Sequence, residues 1–129
     1  MDGIVHFELP VDDLARARAF YSIFGWALQD WPMPDGSTYV GIHTTPIDEK
    51  TRLPLEVGAI NGGMLLRNKE VQAPVFAINV SSIDEKVEQL LKVGGTVVKP
   101  KVDMMGMGFY AYVKDTEGNV IGLWEDAKK

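Results

Sequence analysis

The same order of strand and helix patterns occurs twice in this sequence, 69 residues apart. Ile4–Leu9 alternates apolar and polar side chains, which is typical of a half-buried strand, and Val75–Val80 alternates in the same way. Aligning Val11 with Val80 also aligns Phe7 with Phe76 and Leu14 with Ile83. The repeat restricts the chain to folds that are built from two similar modules.

A helix pattern follows each of these strands. Asp12 and Asp13 supply an N-cap and favourable charge for the first helix, and Gly25 is a natural stop after it. Ser82–Glu85 is a capping box for the second helix, because the serine and glutamate side chains each accept from the other's backbone N–H. We predict that Gly94 and the glycine after it end this second helix.

Three strand-like stretches follow each helix. In the first half they are Trp26–Trp31, Thr38–His43 and Val57–Leu66, and in the second half Thr96–Val102, Phe109–Val113 and Asn119–Glu125. We therefore predict an α+β fold of two βαβββ modules, at residues 3–68 and 73–126 of one domain that spans 1–129. With a helix on one face of each sheet, the two other faces would form a cup with the helices outside.

Composition limits the classes of function. The net charge is −5 and the 13 Lys and Arg are dispersed, so no concentrated basic surface is available for nucleic acid. The absence of cysteine excludes disulfides and thiolate chemistry. No signal pattern and no apolar run of membrane-spanning length occurs, so we expect a cytoplasmic protein with a small-molecule partner and no membrane partner.

His6 and Glu8 lie two residues apart in the first strand and therefore on one face, the face predicted to line the cup. An imidazole and a carboxylate in a cavity can move protons or bind a metal. Aromatic and methionine side chains could instead stack on a planar or apolar ligand. The predicted ligand pocket comprises Glu8, Trp26, Tyr39, Met64, Phe109 and Tyr110.

Four stretches resemble the vicinal oxygen chelate superfamily, which includes glyoxalase I, bleomycin-resistance proteins, fosfomycin-resistance proteins and extradiol dioxygenases. They are VHFELPVDDLARARAFYSIFGW, GGM at Gly62–Met64, FAINVSSIDEKVEQLLKVGGTVV and YVKDTEGNVIGLWE. The resemblance covers nearly the whole chain and implies the glyoxalase/bleomycin-resistance/dihydroxybiphenyl dioxygenase-like fold. It also implies a homodimer.

Metal-dependent members of that superfamily take ligands from four positions on the cup floor. The resemblance places His6 at the first position and Glu125 at the last, which makes this pair the candidate catalytic residues and, if a metal is bound, the candidate ligands. The third position falls on Val75, and the second falls in Gly62–Leu65, which contains no His, Asp, Glu or Gln. A divalent Zn, Ni, Fe or Mn would have only two of four ligands, so we expect no cofactor.

Three functions remain open at this point. The chain could bind a small hydrophobic or aromatic molecule in the cup without an intact metal site, as bleomycin-resistance proteins do. It could be a glyoxalase-like lyase or isomerase that works by proton transfer, with or without metal. It could also be a non-catalytic dimeric accessory protein.

Overall fold

The computed structural model describes residues 1–128 and contains eight strands and two α-helices. In chain order the elements are β1 (Ile4–Val11), α1 (Leu14–Tyr21), β2 (Ala27–Pro32), β3 (Thr38–His43), β4 (Gly62–Leu66), β5 (Val75–Asn79), α2 (Ile83–Lys92), β6 (Thr96–Asp103), β7 (Gly108–Lys114) and β8 (Val120–Asp126). A single 3-10 turn at Ser22–Phe24 follows α1. This order is strand-helix-strand-strand-strand twice, which confirms the predicted α+β class.

The contacts divide the chain into two compact units. We call residues 6–74 the N module, and residues 1–5 together with 75–128 the C module. The strand order is β2-β3-β4-β1 in the N module and β5-β8-β7-β6 in the C module. In each module the first strand is parallel to its neighbour, β4 or β8, and the other pairs are antiparallel.

Each helix begins at the cap that the sequence predicts. The Asp13 carboxylate accepts from the backbone N–H of Arg16, and the Ser82 hydroxyl accepts from that of Glu85. Gly25 adopts φ +78 after the 3-10 turn, a left-handed conformation that glycine reaches at little cost. The two helices are therefore specified locally, before any packing is considered.

Each module has its own apolar core between its sheet and its helix. In the N module the fully buried Val40, Ile42 and Met64 pack with Leu14 and Ala17 of α1. In the C module Leu123 and Ala111 pack with Ile83 of α2. Because side chains alternate along a strand, these contacts define two faces of each sheet: a helix-side face, and the opposite face, which we call the distal face.

Two predicted strand ends differ from the structure. β1 continues through Pro10 to Val11, because Pro10 pairs in parallel with Leu65 and a proline is tolerated where the ladder does not need its N–H. β4 begins at Gly62 rather than Val57, since Gly58 takes φ +84 in a turn and residues 57–61 form a loop that is exposed at Val57 and Gly58. How the two modules combine into a cup stays a prediction.

Candidate functional site

The distal face of the N module contains a hydrogen-bonded chain of three side chains. The Nε2 atom of His6 lies 2.8 Å from the Tyr39 hydroxyl oxygen, and that hydroxyl donates to Oε2 of Glu8 over 2.9 Å. The His6 and Tyr39 rings are stacked, with centroids 6.4 Å apart and planes 17° apart. All three side chains are half-buried, so this polar cluster is partly shielded from bulk water.

Two glycines allow aromatic rings to lie over this sheet. Gly63 in β4 is directly opposite Glu8 in β1 and Gly41 in β3. A Cβ atom added to Gly63 would lie 2.2 Å from three outer atoms of the Tyr39 side chain, so a larger residue here would displace the ring. Glycine in β4 therefore lets the tyrosine of β3 reach across that strand to His6 and Glu8 of β1.

The Trp31 ring lies over Gly41 as the Tyr39 ring lies over Gly63. A Cβ atom added to Gly41 would lie 2.8 Å from the indole nitrogen of Trp31, so that ring occupies the space above Gly41. The Trp31 side chain keeps 38% of its surface exposed. Trp31 and Tyr39 are paired across β2 and β3, and together they form an aromatic surface beside the His6 cluster.

Burial determines the charge state of His6. Loss of solvation lowers the pKa of its imidazole below the usual value, and the nearby Glu8 carboxylate opposes this shift in part. The imidazole is therefore neutral at neutral pH, with one nitrogen protonated and the other carrying a free lone pair. A neutral imidazole in this position can accept a proton.

Glu125 does not lie on the face that the sequence interpretation assigned to it. It follows the alternation of Ile121 and Leu123, which pack in the helix-side core, and it is 7% exposed. Its carboxylate accepts from the backbone N–H of Ile83, the first residue of α2, over 2.7 Å. Lys101 lies 3.7 Å from the same oxygen. In the structure Glu125 holds the start of a helix.

The predicted pocket residues divide between the two faces. Glu8 and Tyr39 lie on the distal face of the N module, and Tyr110 lies on the distal face of the C module, beneath Lys99. Trp26, Met64 and Phe109 pack in helix-side cores, so for these three the expected position is corrected. Their apolar character fits a core as well as a pocket, and no short-range signal separates the two.

Trp31 and the glycine pair are the site features that the sequence interpretation missed. The sequence interpretation includes Trp31 only as the end of a predicted strand, whereas the structure pairs it with Tyr39 and so places it on the distal face. Gly63 lies in GGM, which enters the sequence interpretation only as part of the family resemblance. The signal was Gly63 in a strand interior, where a missing side chain often marks the close approach of another group.

Metal-dependent members occur in the superfamily that the sequence resembles, so the fit of the donor side chains to a metal ion bears on the function. Within residues 1–128 no group of three or more His, Asp or Glu side chains could hold a metal together. The His6 Nε2 atom is already bonded to Tyr39. These residues do not fit a centre with three protein ligands.

Comparison with known proteins gives a family match at the beginning of the chain. Residues 4–45 match the family described as bleomycin resistance protein-like N-terminal. CFP32 of Mycobacterium bovis, which is named as a provisional glyoxylase, is 28% identical over 120 residues, covering 92% of this chain and 43% of that protein. The chain thus spans less than half the length of the curated relatives it matches.

Solved structures share the fold at low sequence identity. A glyoxalase/bleomycin resistance protein/dioxygenase superfamily member from Vibrio splendidus is 11% identical, with a TM-score of 0.62 and coverage of 98% of this chain and 100% of that one. Methylmalonyl-CoA epimerase of Streptomyces coelicolor is 15% identical, with a TM-score of 0.65 and 97% of both chains covered. No helix within residues 1–128 has the length and apolarity needed to cross a membrane. Residues 4–45 therefore match a bleomycin-resistance family, and the whole chain shares the fold of these solved structures.

Proposed function

We propose that the chain binds a small planar molecule on the distal face of the N module. The observation that carries this proposal is the pair of rings, Tyr39 over Gly63 and Trp31 over Gly41, beside a half-buried polar cluster. Aromatic faces stack on planar ligands, and a few polar groups beside them orient the ligand. The match to a bleomycin-resistance family agrees with a binding role.

A matched pair of probes tests stacking directly. 2-Naphthol and decahydro-2-naphthol share a carbon skeleton and a hydroxyl group, but only the first is planar. We expect calorimetric titration to give tighter binding of 2-naphthol, and Trp31→Leu to weaken it roughly two- to tenfold, the equivalent of one lost aromatic contact. Equal affinity for the two probes would contradict the proposal.

The control for Trp31→Leu is Phe24→Leu. Phe24 is also an exposed aromatic residue, but it lies next to α1 and contacts Trp26 in the helix-side core. We expect Phe24→Leu to leave the affinity for 2-naphthol unchanged. If both variants weaken binding equally, the effect comes from general destabilisation and not from the distal face.

A second function, proton transfer next to a carbonyl group, is favoured by His6. Its imidazole is neutral at neutral pH because burial lowers its pKa, so it can take a proton from carbon without first losing one. The ketone 2-tetralone, which carries a planar benzene ring, is a suitable probe in D2O, since its acidic C–H groups exchange measurably. We expect His6→Gln to reduce enzyme-dependent exchange by a factor on the order of 100 or more. Exchange at the wild-type rate in this variant would exclude His6 as the base.

A further inference from the structure

The hydrogen bonds around Tyr39 determine which nitrogen of His6 carries the proton. The Tyr39 hydroxyl donates to Oε2 of Glu8 over 2.9 Å, so its hydrogen lies on that bond. The Tyr39 oxygen then has lone pairs left for the 2.8 Å contact with His6 Nε2. That contact is a hydrogen bond only if Nε2 is the donor, which leaves Nδ1 without a hydrogen.

The Nδ1 atom is also accessible. Among residues 1–128 no buried side-chain nitrogen or oxygen atom lacks a hydrogen-bond partner, and the His6 side chain makes its hydrogen bond within this part of the chain through Nε2. An Nδ1 atom with no partner must therefore keep contact with solvent. The lone pair on this nitrogen is thus within reach of a bound molecule.

We infer that Nδ1 of His6 is the proton-accepting atom of this site, and that Tyr39, seated over Gly63, is the positioning residue that keeps the proton on Nε2. This inference rests on the proton-transfer function proposed above. In the step, the C–H bond of the substrate breaks, its electron pair stays on the substrate as an enolate, and the proton forms a new bond to Nδ1. Nε2 keeps its hydrogen bond to Tyr39, whose hydroxyl stays bonded to Glu8, and the imidazolium is thereby stabilised by the Glu8 charge.

Nitrogen NMR of the ligand-free protein shows directly which ring nitrogen of His6 carries the hydrogen. In protein with ¹⁵N-labelled histidine, at a pH where His6 is neutral, long-range ¹H–¹⁵N correlations identify the protonated nitrogen. His43→Gln removes the signals of the second of the two histidines in the chain. We expect a hydrogen on Nε2, a bare Nδ1, and slow exchange of the Nε2 hydrogen with water. A hydrogen on Nδ1 would overturn the inference.

Two substitutions test the positioning role. Tyr39→Phe keeps the ring but removes the acceptor, so we expect the Nε2 hydrogen to exchange faster by roughly fivefold or more, as for the loss of one hydrogen bond. Gly63→Ala keeps the tyrosine but places a Cβ atom 2.2 Å from its ring, so we expect the same gain in exchange. If the Nε2 hydrogen of His6 exchanges at the wild-type rate in either variant, Tyr39 over Gly63 does not hold it in place, and the positioning role is overturned.

Each variant has a matched control. Tyr21→Phe removes a hydroxyl on the helix side, where the ring stacks on Trp26 at 5.5 Å. Gly3→Ala adds a methyl group with no heavy atom within 4 Å. Both controls should keep the wild-type exchange, and circular dichroism confirms that all four variants are folded. Because the spectra are recorded without ligand, the result on the tautomer is independent of whether 2-naphthol binds or 2-tetralone is turned over.

Discussion

At the scale of single residues, His6 connects the site to the stability of the fold. Burial lowers the pKa of its imidazole, so the folded protein binds a proton at this residue less readily than the unfolded chain does. The unfolded chain titrates near the ordinary value of about 6.5. At pH values between these two pKa values, His6 is mostly protonated in the unfolded chain and mostly neutral in the folded protein. Lowering the pH through this range therefore favours unfolding.

We therefore predict that His6 makes the free energy of unfolding fall as the pH falls below about 6.5, with full stability above that value. The loss should level off once the pH is below the pKa of the folded state. Urea denaturation of wild-type protein and His6→Asn, from about pH 8 to about pH 5, measures this dependence of the free energy of unfolding on pH. Most carboxylates stay ionised over this range and so contribute little to the change. The variant should have a flatter profile.

His43→Gln is the control for this comparison. It removes the other histidine but keeps the His6 cluster, so we expect the wild-type pH profile to persist. A profile that is flat in His43→Gln and unchanged in His6→Asn would assign the effect to the wrong histidine and refute the prediction.

At the scale of elements, the start of α2 depends on two caps. Ser82 accepts from the backbone N–H of Glu85, as its sequence pattern predicts. Glu125, 42 residues from Ile83 in sequence, accepts from the Ile83 N–H within the core. The second cap ties β8 to α2 and places a negative charge at the positive end of the helix dipole.

We predict that Glu125→Ala lowers the free energy of unfolding by about 1–3 kcal/mol, because it leaves the buried Ile83 N–H without an acceptor. Glu125→Gln keeps an acceptor oxygen and should lose less. Glu88→Ala, at an exposed position of α2, is the control and should stay within about 0.5 kcal/mol of wild type. Equal denaturation midpoints for Glu125→Ala and Glu88→Ala would show that the cap contributes nothing.

The face of the sheet could be predicted from the sequence for His6 and Glu8 but not for Glu125. Alternation correctly assigned His6 and Glu8 to one face, because their apolar neighbours Phe7 and Leu9 clearly belong to the core. In β8 both faces carry apolar groups, Leu123 on one and Trp124 on the other, so the pattern does not define the face of Glu125. A shift of one residue in the assumed register moves every side chain to the opposite face.

At the scale of the whole molecule, the fold could be predicted far better than the site. Caps and tight turns are local signals: PDGS at residues 34–37 and DTEGN at residues 115–119 are turn sequences, and their glycines, Gly36 and Gly118, adopt positive φ. The position of the Tyr39 ring, in contrast, depends on contacts among three strands that are distant in sequence. Such a contact has no signal within any short segment.

Metal dependence is also a property of the whole molecule, because ligands would have to converge from several strands. Without cysteine the available ligands are mainly His, Asp and Glu, and no three of them converge within residues 1–128. A metal at 100 times its dissociation constant would stabilise the folded state by about 2.7 kcal/mol. We predict that dialysis of untagged protein against EDTA, followed by addition of Zn²⁺, Ni²⁺ or Mn²⁺, leaves the thermal midpoint unchanged.

A thermal midpoint that depends on metal would contradict this prediction. Stoichiometric metal in the purified protein, with a midpoint that falls on chelation, would require a site that the described side chains do not form. His6→Ala would then locate it: a midpoint that no longer responds to chelation would make His6 a ligand, either through its bare Nδ1 or through an Nε2 atom that has left Tyr39, and a metal on Nδ1 would exclude this atom as the proton acceptor. A response that persists in His6→Ala would place the metal away from the Tyr39 cluster and leave the assignment of Nδ1 as the proton acceptor intact.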